Sequence, residues 1–196
     1  KFIEHKYPDL LPNVSSCKSP QQMFGALAKT YLAEKEGVDP ANVVSVSMMP
    51  CTAKKFEKER DEMRDSGYQD VDYVLTVREV ARMIRDMDID FEHLPEEKYD
   101  RWMGQSSGAA IIFGATGGVM EAALRTAYEV VTGQEVPFEG LNIEPVRGMQ
   151  GVREAAITMP DEMAEGFEFL AGATLKVGVA HGLANARKVM DKVAAG

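Results

Sequence analysis

The chain carries the sequence MPCTAKKFE at residues 49–57, directly after the largely apolar run Val43 to Met48. That run is rich in β-branched residues, which favours a buried strand. The thiol of Cys51 and the ammonium group of Lys54 therefore lie just beyond the end of a predicted strand. A nearby cation and a following helix N-terminus favour the thiolate, which is the form of cysteine that binds metal. The alternative is that Cys51 is a small, buried apolar residue, although Pro50 and the polar residues after it favour a site.

A second turn, Thr116-Gly117-Gly118, follows the apolar run AAIIF at residues 109–113 and opens a helical pattern. Free backbone N–H groups and the positive end of the helix dipole suit a phosphate, a carboxylate or another anionic ligand. Two glycines before a helix are also common in ordinary turns, and their spacing matches neither the dinucleotide fingerprint nor the P-loop. The residues alone leave both interpretations open.

Predicted strands and helices alternate along the chain. Ser19 is expected to cap the first helix, with Pro20 in its first turn and Gly37 at its end. The predicted strands cover residues 43–48, 72–77, 109–113, 141–147 and 174–180, and the predicted helices cover 20–36, 78–87, 118–131 and 183–193. This alternation predicts an α/β fold with a mostly parallel sheet flanked by helices on both faces. Because ligands gather beyond the carboxyl ends of such strands, the two turns are expected to converge.

Size, charge and cysteine content exclude several classes of protein. A chain of 196 residues can form one α/β domain with its own core. Its 31 acidic and 22 basic residues give a net charge of −9, which argues against a nucleic-acid or anionic-membrane partner. No apolar run approaches the roughly 18 residues of a spanning helix, so we predict no membrane insertion. Cys17 and Cys51 are the only cysteines, and neither zinc nor an iron–sulfur cluster is normally held by two thiols alone.

Four further segments accompany the motif at residues 49–57. They are SSCKSPQQ at residues 15–22, DYVLTVRE at 72–79, FGATGGVMEAALR at 113–125 and VAHGLANAR at 179–187. In this order they resemble the catalytic domain of FeFe-hydrogenases, whose second cluster-binding motif is Met-Pro-Cys-x-x-Lys-x-x-Glu. The resemblance covers essentially all 196 residues. It implies an α/β lobe of the iron-only hydrogenase large-subunit fold, with residues 1–196 as the central lobe of the H-cluster domain, truncated at both ends.

The resemblance also implies a role for each site residue. Cys51 would be a thiolate ligand of the four-iron cubane of the H-cluster, which is coupled to a two-iron unit bearing CO, cyanide and a bridging dithiolate. Lys54 would donate a charge-assisted hydrogen bond to a cyanide, and the hydroxyl of Ser15 would relay protons. The other cofactor contacts would come from Ser19 and Pro50 near the cyanides, Gln21 near a CO, Met49 and Phe113 in the pocket wall, and the turn Thr116, Gly117 and Gly118.

These residues also have plainer interpretations. Ser15 and Ser19 could simply cap helices, and Met49 and Phe113 could belong to an ordinary core. Cys17 is not a cluster ligand in the family and is expected to be structural.

Of the three cysteine motifs of the family, this chain carries only the middle one. A Thr-Ser-Cys-Cys-Pro motif would precede Lys1, and a Met-Ala-Cys motif with a glycine-rich cysteine tail would follow Gly196. We therefore expect the isolated chain to bind no cluster and to be inactive. The intact parent would reversibly reduce protons to dihydrogen with electrons from ferredoxin, and its partners would be ferredoxin and the remaining hydrogenase segments. We expect a cytoplasmic location, with the periplasm open for the parent.

Two alternatives remain on sequence grounds. The first is a hydrogenase-like protein of iron–sulfur assembly, which keeps part of the fold without hydrogen chemistry. The second is an α/β module that binds a nucleotide or phosphate at Thr116 to Gly118, with Cys51 incidental.

Overall fold

The computed structural model describes residues 1–115, 117–136, 144–145 and 151–195. These residues form two compact units, one made of Ser15–Gly104 and the other of Lys1–Val14 with Gln105–Gly196. Each unit combines helices with a small β-sheet, which confirms the α/β class. No helix in the described parts of the chain has the length and apolar character needed to cross a bilayer.

The unit at residues 15–104 contains a short parallel pair of strands. β1 (Val46–Met48) pairs with β2 (Tyr73–Leu75), so that Val46 is opposite Tyr73. The helices of this unit are α2 (Pro20–Leu27), α3 (Ala33–Glu36), α4 (Ala53–Lys58) and α5 (Val77–Asp86), with a π-helical turn at Ala28–Leu32 and 3-10 turns at Pro40–Asn42 and Phe91–His93. The predicted long helix from residue 20 to 36 is confirmed, and Gly37 ends it with a φ of 65°.

Helix α2 packs closely against the chain that leads into β2. A Cβ atom on Gly25 would lie 2.3 Å from the backbone oxygen of Asp70, so only glycine permits this approach. One turn later, the buried ammonium of Lys29 lies 2.7 Å from the carboxylate of Asp72. Asp72 also accepts the N–H of Ser45 at 2.7 Å. The ion pair therefore ties the helix to the starts of both strands.

A capping box fixes the start of α5. The hydroxyl of Thr76 accepts the N–H of Glu79, and the carboxylate of Glu79 accepts the N–H of Thr76. The Lys55 ammonium donates to the same carboxylate at 2.7 Å and thereby joins α4 to α5. These hydrogen bonds, Lys55 first, lower the pKa of Glu79 to about 2.

The other unit contains an antiparallel sheet of three strands in the order β3 (Glu144–Pro145), β4 (Val152–Thr158) and β5 (Thr174–Ala180). Its helices are α1 (Phe2–Lys6), α6 (Gly108–Phe113), α7 (Gly118–Thr132) and α8 (Leu183–Ala195), with 3-10 turns at Pro8–Asn13 and Glu168–Leu170. The buried cluster of Tyr128, Ile157 and Met159 packs α7 against the sheet and its following turn. The predicted helices at 118–131 and 183–193 and the strand at 174–180 are confirmed.

Two features of this unit differ from the sequence prediction. Residues 109–113 lie within helix α6 and not in a strand, because the periodicity of so short an apolar run does not distinguish the two. The strand β4 was not predicted, and β5 pairs with it in antiparallel fashion, so the mostly parallel arrangement does not hold in this sheet. Of the strand predicted at 141–147, only Glu144–Pro145 lies within the described residues, and these two do form β3.

Candidate functional site

Cys51 lies in the turn that joins β1 to α4. The N–H of Met49 donates to the backbone oxygen of Leu75 at 2.9 Å, so the turn leaves the parallel pair at its carboxyl end. The N–H of Lys54 donates to the backbone oxygen of Cys51 at 3.3 Å as the helix begins. Cys51 is a free and exposed thiol. The alternative of a cysteine sealed in an apolar core does not describe this side chain.

Glu57 connects this turn to the start of α2. Its carboxylate accepts the Ser19 hydroxyl at 2.7 Å and the Ser19 N–H at 3.3 Å. It also accepts the side-chain amide of Gln21 at 3.2 Å. The ammonium of Lys54, three residues earlier on α4, lies 3.8 Å from the same carboxylate. Three hydrogen-bond donors from the start of α2 and one ammonium group from α4 therefore surround one acidic group.

Glu57 is the last residue of the motif at residues 49–57, and the sequence alone predicts no role for it. The available signal was its spacing of three from Lys54, which places both side chains on one face of a helix. The partners from α2 are more than 30 residues away in sequence, and no local pattern reveals them.

Gln21 is buried and uses both ends of its amide. Its Oε1 atom accepts the Ser47 hydroxyl at 2.6 Å, and its Nε2 atom donates to Glu57 and to the backbone oxygen of Lys54 at 3.3 Å. An amide nitrogen has two hydrogens, so none remains for a ligand. In this arrangement, Gln21 can contact a ligand by van der Waals packing but cannot donate to it.

Ser19 occupies the predicted N-cap position of α2, but its side chain makes no capping hydrogen bond. The single hydroxyl hydrogen goes to Glu57 instead. In this conformation Ser19 Oγ can accept a hydrogen bond but cannot donate to a cyanide. Ser19 therefore occupies the N-cap position that the plainer interpretation predicted, but the predicted side-chain capping hydrogen bond is absent.

The other predicted residues of this unit lie around the same turn and the preceding loop. Ser15 is exposed and accepts the N–H of Cys17 at 3.1 Å, and Cys17 is itself an exposed free thiol. Pro50 is exposed and Met49 is half-buried. A groove of about 900 Å³ runs along α2 and β1, and its walls include Gln21 and Met49 but neither Cys51 nor Lys54. The groove and the thiol are thus adjacent features rather than one pocket.

The glycine turn belongs to the other compact unit. Gly117 precedes α7 with a φ of 82°, and a Cβ atom on Gly118 would lie 1.7 Å from the backbone oxygen of Ile112. Close packing of α6 against α7 therefore requires Gly118 without any ligand. Phe113 ends α6 and is 41% exposed. Thr116 lies outside the described residues, and the convergence of this turn with Cys51 stays a prediction.

The donor set fits one corner of an iron–sulfur cluster. Cys51 offers one accessible thiol, and Lys54, three residues later, offers one ammonium group. A four-iron cubane takes four ligands, usually thiolates. Within residues 1–115, 117–136 and 151–195, no three His, Cys, Asp or Glu side chains are grouped so as to hold a metal ion. Cys51 alone would supply one of these four ligands.

Comparison with known proteins identifies relatives of the whole chain. The family described as "Iron only hydrogenase large subunit, C-terminal domain" matches residues 1–196. The NADP-reducing hydrogenase subunit HndD of Solidesulfovibrio fructosivorans is 49% identical over 196 residues, which are all of this chain and 31% of that protein. The periplasmic Fe hydrogenase large subunit of Nitratidesulfovibrio vulgaris is 48% identical over all of this chain and 44% of its own length.

Solved structures agree with these sequence matches. Apo FeFe-hydrogenase HydA1 from Chlamydomonas reinhardtii matches with a TM-score of 0.79 and 44% identity, covering 97% of this chain and 52% of that one. A HydA structure that reveals stepwise H-cluster assembly gives the same values. A cytosolic Fe–S cluster assembly factor of Yarrowia lipolytica, NAR1, is 33% identical over 137 residues, which are 63% of this chain. The chain thus spans about half or less of the proteins it matches.

Proposed function

The chain belongs to the family of iron-only hydrogenase large subunits, C-terminal domain, and on that premise we propose that it supplies one corner of the H-cluster site of an FeFe-hydrogenase. The reaction proposed for the parent is the reversible reduction of two protons by two electrons to dihydrogen. The single observation that carries the proposal is the exposed Cys51 thiol, followed three residues later by Lys54 in the first turn of α4. A thiolate binds iron in such clusters, and an ammonium group can donate charge-assisted hydrogen bonds to their anionic ligands.

The roles of the chain's own residues follow from their geometry. When bound, the H-cluster supplies the redox chemistry and the site of hydrogen binding. Cys51 would bind one iron of the cubane as a thiolate. Lys54 keeps hydrogen-bond donors available, because its contact with Glu57 at 3.8 Å exceeds hydrogen-bond distance. We assign it to an anionic ligand of the two-iron unit.

The remaining site assignments rest on the resemblance. They comprise Ser15 as a proton relay, Ser19, Gln21, Met49 and Pro50 around the two-iron unit, and Phe113, Thr116, Gly117 and Gly118 as further cofactor contacts. Ser19 and Gln21 would contact the two-iron unit without donating hydrogen bonds to it, since their side-chain donors are already engaged.

The partners and location of the parent are also proposals. We propose that ferredoxin exchanges electrons with it and that the remaining hydrogenase segments complete the cluster ligands. The cytoplasm is the proposed location, and one relative is a periplasmic large subunit, so the periplasm is the alternative. Fractionation of cells that produce the parent distinguishes the two.

A role in iron–sulfur assembly is the second candidate, because NAR1 proteins share part of the sequence. The hydrogenase relatives match the whole chain at higher identity, which favours the first proposal. The nucleotide-binding alternative loses its main support, since packing alone accounts for Gly118.

Cysteine substitution in the parent hydrogenase tests the proposed function. Cys51→Ala should lose bound iron, whereas Cys17→Ala, which removes another exposed thiol of the same unit, should retain it. Iron and sulfide analysis after anaerobic reconstitution measures both. Retention of wild-type iron by Cys51→Ala would refute the assignment, as would a stoichiometric cubane bound by residues 1–196 alone.

A further inference from the structure

The proposal places three polar side chains of this unit near the two-iron unit, namely Ser19, Gln21 and Lys54. Glu57 contacts all three of them. Its carboxylate accepts from Ser19 and Gln21 at the start of α2 and faces Lys54 on its own helix. Glu57 itself is six residues from Cys51 and has no direct role in the proposed chemistry. A shared acceptor of this kind sets the positions of the groups bonded to it.

We propose that Glu57 is a positioning residue that holds Lys54 beside Cys51 by anchoring α4 to the start of α2. The inference rests on the proposed function and extends it to a residue outside the expected contacts. Glu57 acts through Lys54 and touches no cofactor atom in this assignment.

The anchoring bonds distinguish Glu57 from a surface carboxylate. Ser19 donates twice, at 2.7 and 3.3 Å, and Gln21 once at 3.2 Å, so both carboxylate oxygens are engaged from outside the helix that carries them. Hydrogen bonds to an ionised acceptor are roughly twice as strong as neutral ones. Glu57 is also only 20% exposed, which limits screening by solvent.

The longer contact with Lys54 has a different consequence. At 3.8 Å the ammonium is attracted to Glu57 as a counterion but is not hydrogen-bonded to it. The lysine therefore stays on this side of α4 with donors available for another acceptor. Removing the charge at Glu57 would release Lys54 to solvent without removing Lys54 itself.

The first test uses this chain and needs no cluster. Glu57→Gln keeps the size of the side chain and removes its charge. The new amide NH2 group would also face one of the groups that now donate to Glu57. We expect the Ser19 amide to exchange hydrogen about tenfold faster by nuclear magnetic resonance, in keeping with loss of a hydrogen bond to a charged group. Glu59→Gln is the matched control, because Glu59 is an exposed carboxylate on the same helix end that pairs with Lys58. Unchanged exchange at Ser19 in Glu57→Gln overturns the anchoring.

The second test separates positioning from a merely structural role. In the parent hydrogenase loaded with its cluster, infrared bands of the cyanide ligands report the hydrogen bond that Lys54 donates. Glu57→Gln should shift the same band that Lys54→Met shifts, and the double variant should shift it no further, because both changes remove one interaction. Ser19→Ala removes the shortest anchoring hydrogen bond but keeps the charge of Glu57, so it should shift the cyanide band by less. This variant replaces Glu57→Gln in the test if Glu57→Gln does not fold.

The outcomes are distinguishable. Bands at wild-type positions in Glu57→Gln, with a shift in Lys54→Met, overturn the positioning role and leave the proposed function intact. A wild-type parent that takes up no iron overturns the proposed function. Additive shifts in the double variant show that Glu57 acts independently of Lys54, which also overturns the inference.

Discussion

Gly118→Ala is expected to destabilise the unit that contains α6 and α7. The Cβ atom of alanine would lie 1.7 Å from the backbone oxygen of Ile112, whereas ordinary contacts begin at 3.4 Å, so the two helices would have to move apart by about 1.7 Å. Overpacking costs about 1–3 kcal/mol, with the upper end expected where backbone meets backbone. Alanine recovers about 1 kcal/mol of helix propensity. The expected loss in free energy of unfolding is therefore about 2 kcal/mol, or about 4–8 °C in melting temperature.

Gly108→Ala is the matched control for this prediction. Gly108 begins α6 in the same unit, and a Cβ atom built there meets nothing within 4 Å. This variant should be unchanged or more stable by up to about 1 kcal/mol. Urea unfolding followed by circular dichroism measures both variants. If Gly118→Ala unfolds at the wild-type midpoint, helix packing does not require the glycine, and the interpretation of the turn as a ligand cradle regains support.

Three further substitutions probe the unit at residues 15–104. Gln22 is fully buried with no partner for either amide atom among the described residues, so Gln22→Met should raise the free energy of unfolding by about 1 kcal/mol; a lower urea midpoint would contradict this. Because hydrogen bonds led by Lys55 lower the pKa of Glu79 from 4.5 to about 2, its stabilising effect is complete above pH 4.5 and is lost as the pH falls toward 2. Glu79→Gln should therefore flatten the urea midpoint against pH in that interval, and parallel curves would refute it. Lys29→Met leaves the partly exposed Asp72 without its ion-pair partner and should cost about 2–3 kcal/mol by urea unfolding, with a loss below about 1 kcal/mol counting against the pair.

Elements with local start and stop signals were predictable from the sequence. The helix from residue 20 to 36 has Pro20 at its first position and Gly37 in the left-handed region at its end, and α7 has Gly133 in the same role. These residues act within a few positions of the element they bound, so a single sequence contains the information.

Elements whose type depends on distant partners were not predictable. AAIIF at residues 109–113 is apolar enough for a strand, and in the structure it is helical and packs closely against α7 at Gly118. In strand β4 the side chains of Arg153 and Glu154 are both exposed, so burial does not alternate at its start, and the strand is defined by its antiparallel partner β5. Tertiary context decides both cases.

The same division applies to the candidate site. Cys51 and Lys54 follow from a motif of nine residues, and their placement at the carboxyl end of β1 agrees with the strand prediction. The hydrogen bonds from Ser19 and Gln21 to Glu57 cannot be predicted from that motif, because they join segments separated by 36 to 38 positions. A resemblance can name residues near a cofactor, but hydrogen counts decide which of them can still donate to it.

The number of unused hydrogens ranks the side-chain donors of this unit by their availability to a ligand. Ser19 and Gln21 have no hydrogen left for a ligand while they donate to Glu57, whereas Lys54 retains its donors. On the proposed function, an anionic ligand would therefore find Lys54 available as a donor, whereas Ser19 and Gln21 already donate to a carboxylate. If Ser19 were to donate to such a ligand, it would have to rotate its hydroxyl away from Glu57 and give up the shortest bond that anchors α2 to α4. Retaining that bond leaves Lys54 as the primary donor and makes the start of α2 a support for it.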